Sequence, residues 1–240
     1  MAATRRVLVQ VKIFADGADR AGIQRLAEDP IIAGFTTNPT LMRQAGIDDY
    51  VAFARDILEV VTDRPISFEV FSDDMQEMER QALEIASWAP NVNVKIPVTN
   101  NKGERTDVLL KRLVDQGTRV NVTALFTVEQ VEWVAASLAN GPTCFVSVFA
   151  GRVADAGIDP LPIMRDSLAI LHSYGNQELI WASPREVFNI VQADQIGCDI
   201  ITVTHDLLKK LPGVGKDLTQ FSLETVQMFY NDASAAGYTL

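Results

Sequence analysis

The strongest constraint on the fold is a repeated alternation of short β-branched runs with longer amphipathic stretches. The runs are Val9–Ala15, Ile32–Thr36, Ile66–Phe71, Val92–Pro97, Arg119–Thr123, Cys144–Phe149, Glu178–Ala182 and Asp199–Val203. Each has the length and composition of a buried strand. Helical periodicity fills Ile47–Val61, Met75–Trp88, Thr106–Gln116, Val128–Leu138, Pro160–Tyr174 and Pro184–Ala193. Phe221–Ala236 reads as a C-terminal helix. Strand after strand, each followed by helix, predicts an α/β fold, a (β/α)8 TIM barrel. A doubly wound open sheet is the alternative. With 240 residues and 48% hydrophobic side chains, one such domain spanning residues 1–240 can fill its core.

Side-chain parity says what a barrel built this way encloses, because alternate strand residues face opposite sides. Ile66, Phe68 and Val70 oppose Ser67 and Glu69. Val92, Val94 and Ile96 oppose Asn93 and Lys95, and Val120 and Val122 oppose Asn121 and Thr123. Cys144, Val146 and Val148 oppose Phe145, Ser147 and Phe149; Val11, Ile13 and Ala15 oppose Lys12, Phe14 and Asp16. One face suits the surrounding helices. The other is the interior, and its polar residues concentrate toward the strand C-terminal ends, where barrel active sites form. Asp16, Glu69, Lys95, Thr123 and Ser147 then share one enclosed volume.

Lys95 is the most informative of these. Lysine is rarely buried without a reason, and an ammonium removed from water gives up its proton more readily. The free amine can attack a ketone or aldehyde and form a Schiff base. A strand lysine can also be a plain edge residue, but Glu69 and Thr123 share this one's face on flanking strands. Lys12 faces inward too, about 13 Å deeper at roughly 3.3 Å per residue; it reads as structural, reaching solvent or a partner at the closed end. Asp16 could serve as a helix cap in the loop Asp16-Gly17-Ala18-Asp19, and Glu69 could be a structural partner of Lys95. Arg152 and Arg185 follow adjacent strands at one rim. With Ser183 and a helix starting at Pro184 they suit a phosphate dianion. Neither His172 nor His205 pairs with a nucleophile pattern, and neither is assigned to chemistry.

A net charge of −10 argues against general nucleic-acid binding, while local arginines can still hold a phosphate. No stretch has the length of a membrane span. Lys12 interrupts the first apolar run too early for a signal-peptide core. Cys144 and Cys198 form no metal-ligand pattern and read as reduced core thiols, so the expected location is cytoplasmic. Gly213 and Gly215 beside Lys216 do not follow a strand in phosphate-loop order and read as a surface turn.

Five motifs, in order, carry a resemblance. They are Thr36-Thr37-Asn38-Pro39, Val94-Lys95-Ile96-Pro97, Asn121-Val122-Thr123-Ala124-Leu125-Phe126, Ser147-Val148-Phe149-Ala150-Gly151-Arg152 and Ala182-Ser183-Pro184-Arg185. The chain resembles the transaldolase family, specifically the short members that include fructose-6-phosphate aldolases, from Phe14 to about Val203. The resemblance implies Lys95 as the Schiff-base lysine, Asp16 as the general acid/base, and Glu69 with Thr123 as the pair that positions a catalytic water. It implies Asn38 and Asn121 at the dihydroxyacetone part of the sugar, Ser147 and Phe149 lining the same end, and Arg152, Ser183 and Arg185 as the phosphate grip. It further implies sugar-phosphate substrates, no metal or organic cofactor, and a homo-oligomer, a pentamer or decamer assembled through the C-terminal helix. Three positions depart from the family pattern: Gly17 stands for a threonine, Val148 for a proline and Pro184 for an aromatic residue.

The expected reaction is transfer of a dihydroxyacetone unit between sugar phosphates. A lyase that releases free dihydroxyacetone is the alternative, and a non-catalytic sugar-phosphate binder is a third reading. In the lyase branch a tyrosine tends to replace the phenylalanine and glutamine the glutamate, so Phe149 and Glu69 favour the transferase.

Overall fold

The computed structural model describes residues 9–239. Eight parallel strands close into a barrel in sequence order, each neighbour paired to the next and β8 to β1. The strands are β1 (Lys12–Asp16), β2 (Ile32–Thr36), β3 (Ile66–Glu69), β4 (Val92–Pro97), β5 (Val120–Leu125), β6 (Cys144–Val148), β7 (Gln177–Trp181) and β8 (Ile200–Thr204). Between them run α1 (Arg20–Ala27), α2 (Pro39–Gln44), α3 (Tyr50–Val60), α4 (Met75–Ala86), α5 (Asp107–Asp115), α6 (Val128–Ser137), α7 (Ala150–Asp155), α8 (Pro160–His172) and α9 (Phe188–Gln195). After β8 come α10 (His205–Leu208), a 3₁₀ turn at Leu211–Gly213, and α11 (Leu218–Ala236). This is the expected (β/α)8 barrel.

Two apolar clusters hold it. The larger lies between sheet and helices, where the Val, Ile and Leu of the outward strand faces meet helix residues such as Ile23, Phe53, Ile57, Met78, Leu110 and Val134. The smaller, formed by Phe14, Phe145, Ile180, Ala182 and Ile200, fills the inside of the barrel under β1 and β6–β8. Phe14 and Phe145 meet there edge to face, with ring centroids 5.7 Å apart. Gly34 makes room for them: a Cβ on it would fall 2.6 Å from the Phe14 ring. The register between β1 and β2 slips at this point, between Ile13 and Phe14.

Helix starts follow local chemistry. Asp19, Asn38, Asp49, Asp74, Thr127, Asp159 and Asp217 each cap a helix by accepting a backbone N–H of its first turn. Four helices, α1, α2, α7 and α10, lie outside the stretches named from periodicity; α2, α7 and α10 have six residues or fewer, too few to show a period. β1 begins at Lys12, not Val9, because the Gln10 and Val11 N–H groups go to Asp194 and β8 offers a partner only from Ile200. The signal-peptide reading of the first residues lies largely outside the described residues.

Pairing around the barrel is uneven. β2 meets β3 over two positions, Phe35↔Ile66 and Thr36↔Ser67, and β7 meets β8 over two, Ile180↔Ile200 and Trp181↔Ile201. β1 and β8, by contrast, pair over five.

At the closed end Lys12 is exposed and its Nζ sits 2.7 Å from Glu178 of β7. It pairs at the barrel floor, as its parity and depth predict. Among the described residues no helix is long and apolar enough to cross a membrane. Cys144 and Cys198 are free and buried, and burial pushes their thiols up to about 11 and about 12.

Candidate active site

At the C-terminal mouth of the barrel lies a cavity of about 440 Å³. Its walls carry Asp16, Asn38, Glu69, Lys95, Thr123, Ser147, Phe149, Arg152 and Ser183, nine of the eleven residues that the sequence put forward. They converge because each stands in the C-terminal half of its strand or just beyond it, and the register Glu69↔Lys95 sets two of them side by side.

Lys95 is only 6% exposed, so its long side chain must find partners indoors. Nζ donates to the carbonyl of Thr37 at 2.9 Å and lies 3.3 Å from a Glu69 carboxylate oxygen. Those two contacts point the amine across the cavity mouth and hold it in one place. The Glu69 strand end is fixed in turn by Tyr50, whose hydroxyl donates to the Glu69 carbonyl at 2.7 Å.

Asp16 stands on the wall across from Lys95, at the end of β1. Its Oδ1 accepts from the Thr36 hydroxyl at 2.8 Å, and Thr36 is in contact with the Thr202 hydroxyl. Burial pushes the Asp16 carboxyl above its ordinary range. The Lys95 ammonium, the Thr36 hydrogen bond and His205 pull it partly back, while Glu69 adds to the rise. A carboxyl so poised can both take and return a proton. Capping does not occupy it: the residue that caps α1 is Asp19.

The Thr123 hydroxyl is buried and makes no hydrogen bond to any described residue, which leaves it free on the cavity wall. Ser147 donates to Asn121 Oδ1 at 2.7 Å, and Asn121 Nδ2 donates to Ser67 at 3.0 Å. Asn121 therefore lies beneath the wall, completely buried, and holds Ser147; it does not line the cavity. Asn38 does, although its Oδ1 is committed to capping α2 through the Leu41 N–H at 2.9 Å.

Two features differ from the sequence expectation at the end read as a phosphate grip. The helix after β7 starts at Phe188, not Pro184; residues 184–187 form a loop in which the Asn189 side chain accepts the Arg185 and Glu186 N–H groups at 2.8 and 3.1 Å. No helix N-terminus stands at Pro184. Arg185 also does not line the cavity. Its guanidinium makes a two-pronged pair with Asp155 of α7 and donates to Ser183 Oγ at 3.1 Å. Arg152 is placed as expected, lining the cavity with its guanidinium 5.2 Å from the Phe149 ring centroid.

Backbone strain gathers at this mouth. Ala124, next to Thr123 on β5, and Ser183, just past the end of β7, have φ of 65° and 60°. Such left-handed conformations in residues with a Cβ cost on the order of 1–2 kcal/mol each and persist where the surroundings over-determine them. Gly151 explains part of it: a Cβ there would fall 1.6 Å from the Ser183 carbonyl oxygen, so α7 and the Ser183 loop can touch only through a glycine.

Sequence reasoning missed Thr36, Thr202 and Tyr50. Thr36 opens the Thr36-Thr37-Asn38-Pro39 motif, but the register slip in β1–β2 hides its contact with Asp16. The Lys95–Thr37 bond involves a backbone carbonyl, which no residue pattern can reveal. Among the described residues there is no cluster of His, Cys, Asp and Glu that could hold a metal ion.

Comparison with known proteins agrees with this geometry. The family model described as Transaldolase/Fructose-6-phosphate aldolase matches residues 13–240. A probable transaldolase of Dehalococcoides mccartyi is 37% identical over 202 residues, 84% of this chain and 90% of the relative. One from a Thermoanaerobacter species is 35% identical over 215 residues, covering 89% and 94%. Another, from Streptococcus agalactiae, is 37% identical over 194 residues, covering 80% and 86%. A family match over nearly the whole chain, on a barrel whose mouth gathers Lys95, Glu69 and Asp16, shows that the chain belongs to the transaldolase/fructose-6-phosphate aldolase family.

Proposed function

We propose that this chain is a transaldolase that moves a dihydroxyacetone unit between sugar phosphates through a Schiff base on Lys95. The observation that carries the reading is the buried Lys95 amine, held by Thr37 and Glu69 and facing a cavity whose opposite wall bears Asp16. The donor and acceptor are sedoheptulose 7-phosphate and glyceraldehyde 3-phosphate, giving erythrose 4-phosphate and fructose 6-phosphate. The chain then serves the pentose phosphate pathway.

Each step has a residue suited to it. Free Lys95 Nζ attacks the ketose C2, and loss of water from the carbinolamine gives an iminium. Asp16 takes the C4 hydroxyl proton, the C3–C4 bond breaks, and its electrons enter the iminium to give an enamine. An aldose phosphate leaves. The enamine C3 then attacks the aldehyde carbon of the acceptor, Asp16 returns the proton to the new hydroxyl, and water hydrolyses the imine. Glu69, 3.3 Å from Nζ, and the free Thr123 hydroxyl guide the water and protons of imine formation and hydrolysis. Ser147, backed by Asn121, and Asn38 hold the dihydroxyacetone hydroxyls. Arg152 and Ser183 meet the phosphate, with Arg185 keeping Ser183 in place. The iminium is itself the electron sink, so the chemistry calls for no metal or organic cofactor.

Phe149 favours transfer over release. A phenyl ring can neither protonate the enamine nor organise water beside it, so the intermediate waits for an acceptor. The assembly we propose is a homo-oligomer, a pentamer or decamer built through α11, acting in the cytoplasm. None of the 19 residues of α11 is buried, yet Leu218, Phe221, Leu223, Val226, Met228, Phe229 and Tyr230 are all apolar or aromatic. A helix so apolar over so much of its circumference calls for a partner.

Borohydride reduction in the presence of fructose 6-phosphate tests the chemistry: mass spectrometry is expected to find a three-carbon adduct on Lys95. An unmodified Lys95 sinks the reading. Free dihydroxyacetone is expected to stay low without an aldose acceptor, and fast acceptor-independent release makes the chain a lyase instead.

A further inference from the structure

The mechanism above gives no part to Thr202 of β8. Its hydroxyl meets that of Thr36 of β2, although these two strands do not pair. β2 and β8 flank β1, and the register sets Thr36 beside Asp16 and Thr202 beside Phe14. Asp16 and Phe14 share the inward parity, so the two hydroxyls meet across the inner face of β1. Thr36 is 3% exposed and Thr202 6%, and both line the reaction cavity. Below them lies the apolar cluster of Phe14, Phe145, Ile180, Ala182 and Ile200, whose side chains offer no hydrogen-bond partner.

Counting protons fixes the direction of this chain. A threonine hydroxyl has one proton to donate, and an ionised carboxylate only accepts. Thr36 therefore spends its proton on Asp16 Oδ1, at 2.8 Å. Its contact with Thr202 then requires Thr202 to be the donor. Among the described residues the Thr202 side chain makes no other hydrogen bond. Donation into Thr36 polarises the Thr36 hydroxyl and strengthens its own donation to Asp16. It also occupies the side of the Thr36 oxygen toward which that proton could otherwise turn. The Thr36 carbonyl meanwhile accepts the Gly17 N–H at 3.1 Å, so one residue holds both the backbone and the carboxyl at the end of β1.

We propose that Thr202 is a positioning residue for the acid/base of this site: its hydroxyl orients Thr36, which fixes Oδ1 of Asp16 and leaves Oδ2 to take the C4 hydroxyl proton. This rests on the reading of Asp16 as that acid/base. In the step, the C4 O–H bond breaks and its proton passes to Oδ2, while Oδ1 keeps the bond from Thr36. Oδ2 returns the proton to the new hydroxyl after carbon–carbon bond formation. No proton passes through the threonines; they set which oxygen is open.

A double-mutant cycle tests this, read as the rate of glyceraldehyde 3-phosphate release from fructose 6-phosphate, a cleavage step common to transfer and release. Thr36→Val removes the bond to the carboxylate at nearly constant shape and is expected to lower kcat about 10-fold or more. Thr202→Val is expected to lower it about threefold, with KM moving less than kcat. Because Thr202 acts through Thr36, the double variant is expected to be no slower than Thr36→Val alone. Thr202→Ser, which keeps the hydroxyl, is expected to restore most of the rate. Circular dichroism and the borohydride adduct on Lys95 check that each variant is folded and binds its substrate. Losses that multiply in the double variant, an unchanged rate in Thr202→Val, or a Thr202→Ser as slow as Thr202→Val each overturn the proposal. Failure of the functional reading looks different: wild-type protein then forms no borohydride adduct on Lys95.

Discussion

At the scale of single residues, the site depends on two groups held out of water for opposite purposes. Lys95 is retained indoors by a carbonyl and a carboxylate. Lys95→Met is expected to remove the borohydride adduct and to lower transfer by at least about 10⁴-fold, measured as acceptor-dependent turnover. Asp16 costs the fold stability. Because its folded value is raised, the native chain binds a proton that the unfolded chain gives up, so its contribution is whole below the ordinary Asp range and is lost as pH rises through the raised folded value. Asp16→Asn is therefore expected to lower kcat by about 10²–10⁴-fold and yet to gain about 1 kcal/mol at neutral pH by urea unfolding. That gain is expected to disappear below about pH 4, where the wild-type carboxyl is protonated in both states. Parity made both residues legible in the sequence, because an inward lysine and an inward aspartate at strand ends have few structural uses. Thr36 and Thr202 were not legible: their hydroxyls meet Asp16 through the register between β1, β2 and β8, which leaves no residue pattern.

At the scale of elements, all eight strands were legible, with ends displaced by up to three residues, since β-branched runs read directly as buried β. The short helices at the mouth were not. α7 spans six residues and shows no period, yet it brings Asp155 against Arg185 and so decides which guanidinium faces the cavity. The same applies to the loop after β7. Pro184 looks like a helix start by composition, but the chain there runs as a loop whose Arg185 and Glu186 N–H groups go to the Asn189 side chain, and the helix begins only at Phe188. The contact of α7 with that loop runs through Gly151. Gly151→Ala is expected to cost about 1–3 kcal/mol in stability, as an overpacked site does, and to raise KM for phosphorylated substrates more than it changes KM for dihydroxyacetone-type donors lacking phosphate. Asp155→Ala is expected to free Arg185; a change in phosphate affinity, read by inhibition with inorganic phosphate, measures how far the ion pair restrains it.

At the scale of the whole molecule, α11 is the element that the barrel does not use. Phe221→Glu with Phe229→Glu, both on exposed positions, is expected to leave the barrel folded by circular dichroism and to shift light scattering from an oligomer to a 26.4 kDa monomer. An unchanged mass on these substitutions moves the assembly surface elsewhere. The uneven pairing of the sheet has a different consequence. Its two narrow joins, β2 with β3 and β7 with β8, divide the wall into an arc of three strands and an arc of five. Asp16 and Thr202 ride on the smaller arc, and Lys95, Glu69 and Thr123 on the larger. The proposed proton carrier and nucleophile are thus mounted on separate staves of one cask, and the gap between them is set by how tightly the staves close. Amide exchange is expected to be fastest, within the sheet, at Phe35 and Ile201 along those joins. A bound ketose phosphate bridging both arcs is expected to slow it there first, as a hoop tightens a barrel.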